Sequence, residues 1–130
     1  MHTTDTKQTI INLLKSKQLT VQAVKNAGFK LFINHYRYLI KGEDAFGQTL
    51  ALKPLAELRQ NLLQYHITAR GGMTFAEIVD PETGYSITAT ANCSKQDVYI
   101  RRVGIEYALR RALRDLYDRL NHRDNSPNSE

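Results

Sequence analysis

Residues 85–93 alternate between one apolar or small side chain and one polar side chain, which is the period of a half-buried strand. The inward set would be Tyr85, Ile87, Ala89, Ala91 and Cys93. The alanines in this set predict that a helix packs closely over that face. A further strand is predicted over 73–79, and the turn residues of 80–84 (Asp, Pro, Glu, Thr, Gly) predict that the two strands form an antiparallel hairpin.

A helical period replaces the strand period after Cys93. Ser94 and Asp97 have the spacing of a capping box, so we predict an N-cap at Ser94 and a helix over 95–120. The stripe of this helix that would lie on the sheet comprises Val98, Ile105, Leu109, Ala112, Leu113, Leu116 and Leu120. Gly104 costs a helix interior about 1 kcal/mol relative to alanine, which indicates that another group approaches closely there.

In the first half of the chain, the hydrophobic pattern predicts shorter elements. Amphipathic helices are predicted over 6–17 and 21–27, and a strand over 29–40 with apolar residues on both sides, indicating at least partial burial of both faces. A short strand at 49–52 and a helix over 54–65 that begins at Pro54 follow. The expected fold class is α+β, an antiparallel sheet with a long C-terminal helix on one face. We expect an N-terminal helical appendage (1–27), a ligand-binding domain (28–120) and a flexible tail (121–130).

Composition narrows the range of partners. The chain has 130 residues, which suits one domain, and its net charge of +5 favours acidic partners, although many proteins are mildly basic without a specific reason. The single cysteine excludes an intrachain disulfide and favours a reducing compartment. The sequence shows neither a signal peptide nor an apolar run of membrane-spanning length, so we expect a cytoplasmic protein without a membrane partner.

The start of the long helix is the leading candidate for a ligand site. Free N–H groups, the positive end of the helix dipole and the guanidinium groups of Arg101 and Arg102 together suit a phosphate. Arg110 and Arg114 are further candidates on the same helix, where residues 95–120 hold seven basic and four acidic side chains. The alternative is a solvated face with ion pairs four residues apart: Asp97–Arg101, Glu106–Arg110, Arg111–Asp115 and Arg114–Asp118.

Four residues outside this arginine set complete the candidate ligand site. Arg70, before Gly71 and Gly72, would clamp a phosphate, although two glycines are also typical of a simple turn. Asn92 would hydrogen-bond a base or ribose, or cap a turn. Phe75 and Tyr99 would stack on a base, or belong to the core. The histidines are scattered and no catalytic or metal-ligand motif stands out, so we expect a non-enzymatic protein with no metal and no cofactor.

Several of these segments also resemble a known family. Arg70-Gly71-Gly72-Met73-Thr74, the strand ending at Cys93, and the run from Ser94 to Gly104 with its acid, aromatic, paired arginines and glycine are similar to the anti-Thoeris sponge proteins of bacteriophages. The resemblance spans roughly 28–40 and 69–114, and it departs at Ile105, where a basic residue would be expected. It implies a homo-oligomer that sequesters a cyclic ADP-ribose isomer or a cyclic oligonucleotide in the host cytoplasm, counteracting antiphage defence. The alternative function is a small basic nucleic-acid-binding regulator that uses the long helix and the N-terminal helices.

Overall fold

The strands of this protein form one antiparallel sheet, seen in a computed structural model that describes residues 3–41, 51–54, 65–67 and 70–125. The described helices and strands are, in chain order, α1 (Thr3–Lys15), α2 (Val21–Asn26), β1 (Lys30–Lys41), β2 (Ala51–Pro54), β3 (Tyr65–Ile67), β4 (Arg70–Val79), β5 (Ser86–Val98) and α3 (Arg101–Asn125). The helix predicted over 54–65 lies outside the described residues except at its two ends. Those ends, Pro54 and Tyr65, belong to β2 and β3.

The sheet has the order β2-β1-β4-β5, and β3 also pairs with β1. Strand β1 runs antiparallel to β4, and β4 and β5 form the predicted hairpin. The buried carboxylate of Asp80 organises the hairpin turn, because it accepts hydrogen bonds from the Glu82 N–H and the Thr83 hydroxyl. Gly84 completes the turn with a φ of 76°, a conformation that glycine adopts without steric cost.

The core lies between one face of the sheet and α3. On the sheet, Thr74, Ala76 and Ile78 of β4 are fully buried, as the two-residue period requires. On the helix, the predicted stripe is fully buried from Leu109 onward, with no exposed surface left at Leu109, Ala112, Leu113, Leu116 and Leu120. The expected α+β fold, with a long C-terminal helix on one face of an antiparallel sheet, is therefore confirmed.

The two N-terminal helices share this core. Ile10 of α1 and Val24 of α2 are fully buried within the same cluster as the stripe of α3. The guanidinium of Arg110 donates hydrogen bonds of 2.8 Å to the backbone oxygens of Leu14 and Ser16 at the end of α1. The residues predicted to form an appendage therefore pack as part of the same hydrophobic unit as the sheet.

The junction between β5 and α3 differs from the prediction. β5 continues to Val98, which pairs with Arg70, and residues 94–97 bulge out between that pair and the pair Gly72–Cys93. The Ser94 hydroxyl accepts a hydrogen bond from the N–H of Gln96 within this bulge, so it does not cap α3. The capping-box prediction was wrong, because the pairing of Val98 with Arg70 continues β5 beyond Ser94 and α3 begins only at Arg101.

Two further details of the prediction were also wrong. Val98 is in β5 and more than half exposed, so it is not part of the helix stripe. Helix α3 continues to Asn125, whereas the prediction ended it at 120 and began a flexible tail there. On the face of β1 opposite α3, Phe32 is 55% exposed, whereas Tyr36 and Tyr38 are partly buried, so this face is buried only in part, as expected.

Candidate functional site

Helix α3 begins with an electrostatic conflict. Ile100 is its N-cap, since the carbonyl oxygen of Ile100 accepts the N–H of Gly104 at 3.1 Å, and an isoleucine side chain offers no acceptor to the first turn. Arg101 and Arg102 follow, and the first turn contains no acidic residue. Two cations therefore lie at the positive end of the helix dipole, where an anion is favoured. Within the described ranges, the backbone N–H groups of residues 101–103 donate to no protein acceptor.

A cleft of about 350 Å³ opens beside this helix start. It separates the first turn of α3 from the start of α2, and Leu19, Val21 and Ile105 give it an apolar wall. Arg101 and Arg102 also line the cleft and are the charged residues at its wall. Arg102 is exposed and makes no hydrogen bond or ion pair with the described residues, so its donors are available to a ligand.

Behind Arg101 lies a buried polar cluster made of His35, Thr74 and Tyr99. The Nε–H of Arg101 donates to Nε2 of His35 at 3.0 Å, and Nδ1 of the same imidazole lies 2.5 Å from the Tyr99 hydroxyl. That hydroxyl is also 2.8 Å from Oγ1 of Thr74. We refer to His35, Thr74 and Tyr99 as the His35 cluster. It joins β1, β4 and the residues that lead into α3.

The electrostatics of the cluster keep His35 neutral. Burial, reinforced by the positive charges of Arg101 and Arg37, lowers the pKa of His35 from 6.5 to about 4. A guanidinium can only donate, so Nε2 must be the unprotonated nitrogen and the single proton of the neutral ring is on Nδ1. Burial also raises the pKa of the Tyr99 hydroxyl, which therefore remains protonated at neutral pH.

Glycines allow the elements around Tyr99 to approach each other. A Cβ on Gly72 would lie 2.7 Å from the backbone oxygen of Tyr36 and 2.8 Å from the Tyr99 ring. The Arg37 guanidinium lies 4.3 Å from the centroid of the same ring, a cation–π contact. Gly72 thus accommodates the protein's own tyrosine, and the ring proposed to stack on a base is already engaged by Arg37.

The other candidate residues are dispersed over the structure. Arg70 donates from Nη1 to the backbone oxygen of Gln96 at 2.6 Å and so ties β4 to the bulge. Phe75 lies on the face of the sheet opposite the His35 cluster, because it alternates with the inward residues of β4. Phe75 and Tyr99 are therefore on opposite sides of the sheet and cannot stack on one base.

Asn92 is exposed on β5 and lines a second cleft of about 230 Å³. This cleft also contains Cys93 and is bordered by Val98, Ile100 and Tyr107, each more than half exposed. The Cys93 sulfur lies 3.5–3.6 Å from the backbone oxygens of Ser94, Asp97 and Val98. The residue is partly exposed, whereas the alternating pattern predicted a buried thiol.

The two remaining arginines of α3 are not at its start. Arg110 is engaged with the end of α1 and with Glu106, 2.9 Å away, which confirms one of the predicted ion pairs. The hydrogen bond from Arg110, followed by one from the Leu19 N–H, lowers the pKa of Glu106. Arg114 is exposed about 20 Å along the helix axis from Arg101. Of the eight predicted ligand residues, Tyr99, Arg101 and Arg102 come together at the helix start.

Two important residues were not predicted as part of the site, namely His35 and Thr74. Alternation along β1 places His35 on the same face as Arg37, and Gly104 indicated a close approach. Neither signal shows which strand the helix start meets. The contact between the helix start and these two residues depends on the order of strands in the sheet, since β1 and β4 are neighbours under the first turn of α3.

The described residues contain no group of histidine, cysteine, aspartate or glutamate side chains arranged to hold a metal ion. Among the described helices, none combines the length and apolar character that crossing a bilayer requires. No family model, curated protein or solved structure matches this chain.

Proposed function

We propose that this protein binds and sequesters a small phosphate-bearing nucleotide in the cleft beside the start of α3. The observation that carries the proposal is the pair Arg101 and Arg102 on an uncapped helix start that opens into a 350 Å³ cleft. A bound phosphate would accept from the guanidinium groups and from the free N–H groups of the first turn. It would also relieve the repulsion between the arginines and the helix dipole.

The cleft suits the rest of a nucleotide as well. Its volume is near the lower end of the range for small-molecule sites. The wall formed by Leu19, Val21 and Ile105 offers an apolar surface to a base, while the arginines provide the charged end. Resemblance to the sponge proteins makes a cyclic nucleotide, such as a cyclic ADP-ribose isomer or a cyclic oligonucleotide, the first ligand to test.

Calorimetric titration with a cyclic ADP-ribose isomer, a cyclic dinucleotide and ADP tests binding. The variant Arg102→Gln removes one positive charge from a residue that lines the cleft, and Arg114→Gln removes the same charge from an exposed position on the same helix. We expect Arg102→Gln to weaken binding by about tenfold, equivalent to roughly 1.4 kcal/mol. Arg114→Gln controls for net charge and should change the affinity less than about threefold.

Two further measurements separate sequestration from other functions. A ligand released by heating the complex should be chemically unchanged in mass spectrometry, whereas a cleaved or isomerised product would indicate an enzyme. Binding to duplex DNA that weakens steeply with salt would instead favour a nucleic-acid-binding regulator, because many counterions would be released. Absence of binding to all three nucleotides, or equal effects of the two arginine substitutions, would overturn the proposal.

A further inference from the structure

We propose that His35 is a positioning residue that holds the Arg101 guanidinium in the orientation in which it receives an anion at the start of α3. This inference rests on the proposed phosphate site and adds a specific role for a buried residue that does not itself reach the ligand. His35 is 5% exposed and lies one hydrogen bond behind Arg101. Both of its ring nitrogens are engaged, so its contribution to a ligand passes through the arginine.

The geometry of Arg101 is the first support. Its Nε–H donates to Nε2 of His35 at 3.0 Å. Among the described residues, the guanidinium makes no other hydrogen bond. A guanidinium anchored at Nε keeps both terminal amino groups for a bidentate contact with a phosphate. An exposed arginine without such an anchor would lose rotamer entropy on binding, and anchoring removes part of that loss beforehand.

The direction of the hydrogen bonds is the second support. Since Nε2 must accept from Arg101, the proton is on Nδ1 and is donated to the Tyr99 oxygen 2.5 Å away. The Tyr99 hydroxyl also lies 2.8 Å from Oγ1 of Thr74, a pair in which either oxygen can donate, and it donates to the backbone oxygen of Met73 at 3.5 Å. The contact with Arg101 selects one tautomer of His35, and a partner at each ring nitrogen fixes the orientation of the ring. A ring in the other tautomer would present an N–H to the N–H of Arg101.

Charge is the third support. Arg37 on β1 and Arg101 on α3 both flank the imidazole, while Tyr99 and Thr74 complete its surroundings. Two cations on a buried ring disfavour its protonated form, and the resulting low pKa of about 4 keeps Nε2 available as an acceptor throughout neutral pH. The anchor of Arg101 therefore persists under the conditions in which a nucleotide phosphate is charged.

A matched pair of substitutions separates positioning from packing. His35→Gln extends an amide to the place of Nε2 and retains an acceptor for Arg101. His35→Asn keeps a polar group near the place of Nδ1, beside Tyr99, and has nothing at the place of Nε2. With ADP as the probe, we expect His35→Asn to weaken binding by at least about fivefold and His35→Gln to recover most of that loss. Equal affinities of the two variants would overturn the positioning role.

A second readout needs no ligand. In nitrogen-15 NMR spectra of the free protein, His35 should be protonated on Nδ1 and not on Nε2 between pH 6 and 8, and the Nε–H of Arg101 should exchange slowly with water. That slow exchange should be lost in His35→Asn. If the wild-type protein binds no nucleotide, the proposed function fails, whereas these spectra still decide whether His35 orders Arg101. A proton on Nε2, or fast exchange at Arg101 in the wild type, would overturn the inference by itself.

Discussion

The backbone of Gly104 on α3 lies so close to the side chain of Thr74 on β4 that a Cβ at position 104 would overlap Oγ1 of the threonine. The Cβ of Thr74 would be 3.3 Å from the added atom. Helix α3 therefore rests directly on the sheet at the point where the His35 cluster is buried. Gly104 weakens the helix locally, and the close approach it permits brings Tyr99 and Arg101 to His35.

Substitution of Gly104 by alanine tests this approach. Alanine favours the helix by about 1 kcal/mol, but the overlap with Thr74 should outweigh that gain and lower the free energy of unfolding by a net 1–3 kcal/mol or so. Urea denaturation measures the change. In a Thr74→Ala background the overlapping oxygen is absent, so the same substitution should cost at least about 1 kcal/mol less. Equal costs in both backgrounds would show that the contact does not constrain position 104.

The low pKa of His35 predicts how stability depends on pH. An unfolded histidine gains its proton near pH 6.5, whereas folded His35 resists protonation down to about pH 4. The unfolded state therefore binds more protons between these two pH values. The contribution of His35 to the free energy of unfolding should be fully present above pH 6.5, and that free energy should fall by up to about 3 kcal/mol as the pH drops towards 4. Denaturation curves at several pH values measure this slope.

The variant His35→Gln isolates the contribution of this residue, because it lacks the imidazole while the carboxylates and the other histidines still titrate. The difference in unfolding free energy between wild type and His35→Gln should shrink or change sign as the pH falls from 6.5 to 4.5. A difference that stays constant over this range would contradict a depressed pKa for His35.

Arg110 and Arg114 were predicted to bind the same ligand. In the structure, Arg110 instead connects α3 to the end of α1. Substitution of Arg110 by methionine removes donors to the carbonyl oxygens of Leu14 and Ser16 and to Glu106. We expect a loss of about 2–4 kcal/mol in unfolding free energy, since these acceptors are partly buried. The matched substitution Arg114→Met, on an exposed position, should change stability by less than about 0.5 kcal/mol.

Hydrogen exchange locates the effect of the Arg110 substitution. Amides of α1 should lose protection in Arg110→Met before those of β4 and β5, because the lost bonds connect the end of α1 to α3. Uniform loss of protection across the chain would show instead that α1 unfolds together with the sheet.

The Asp80 side chain, which is 2% exposed, accepts the hydrogen bonds that hold the turn of the β4–β5 hairpin. Asp80→Ala leaves the Glu82 N–H and the Thr83 hydroxyl without their acceptor and should destabilise the protein by about 1–3 kcal/mol. Asp80→Asn retains one acceptor oxygen and should cost less than half as much. Thermal denaturation of the two variants compares them, and equal costs would mean that the negative charge and not the turn hydrogen bonds is required.

Much of the sheet and helix packing follows from local pattern. The two-residue period of 85–93 placed Ile87 and Ala91 in the core, and the helical period placed Leu109, Leu113 and Leu116 against them. These predictions succeed because the side of an element on which a residue lies depends only on the geometry of that element. The hairpin turn follows in the same way from the residues that permit it.

The start of α3 shows where local pattern stops being sufficient. Ser94 and Asp97 fulfil the spacing of a capping box, yet pairing between Arg70 and Val98 retains this stretch in the sheet. A cap stabilises a helix by about 1 kcal/mol, and hydrogen bonds to a neighbouring strand, together with the Tyr99 ring on Gly72, compete with it. Arg110 was misassigned for a related reason, because its acceptors on α1 are distant in sequence.

The sequence by itself determined the α+β class, the hairpin, the buried stripe of α3 and the presence of adjacent arginines near its beginning, since each depends on periodicity or residue chemistry within one element. Only the tertiary structure decided which side chains meet at that beginning. His35, Thr74, Tyr99 and Arg101 come from three separate segments, and their hydrogen bonds exist because β1 and β4 are neighbours and Gly104 lets α3 lie directly on them. Contacts between distant segments depend on the order of strands in the sheet, and no local pattern encodes that order.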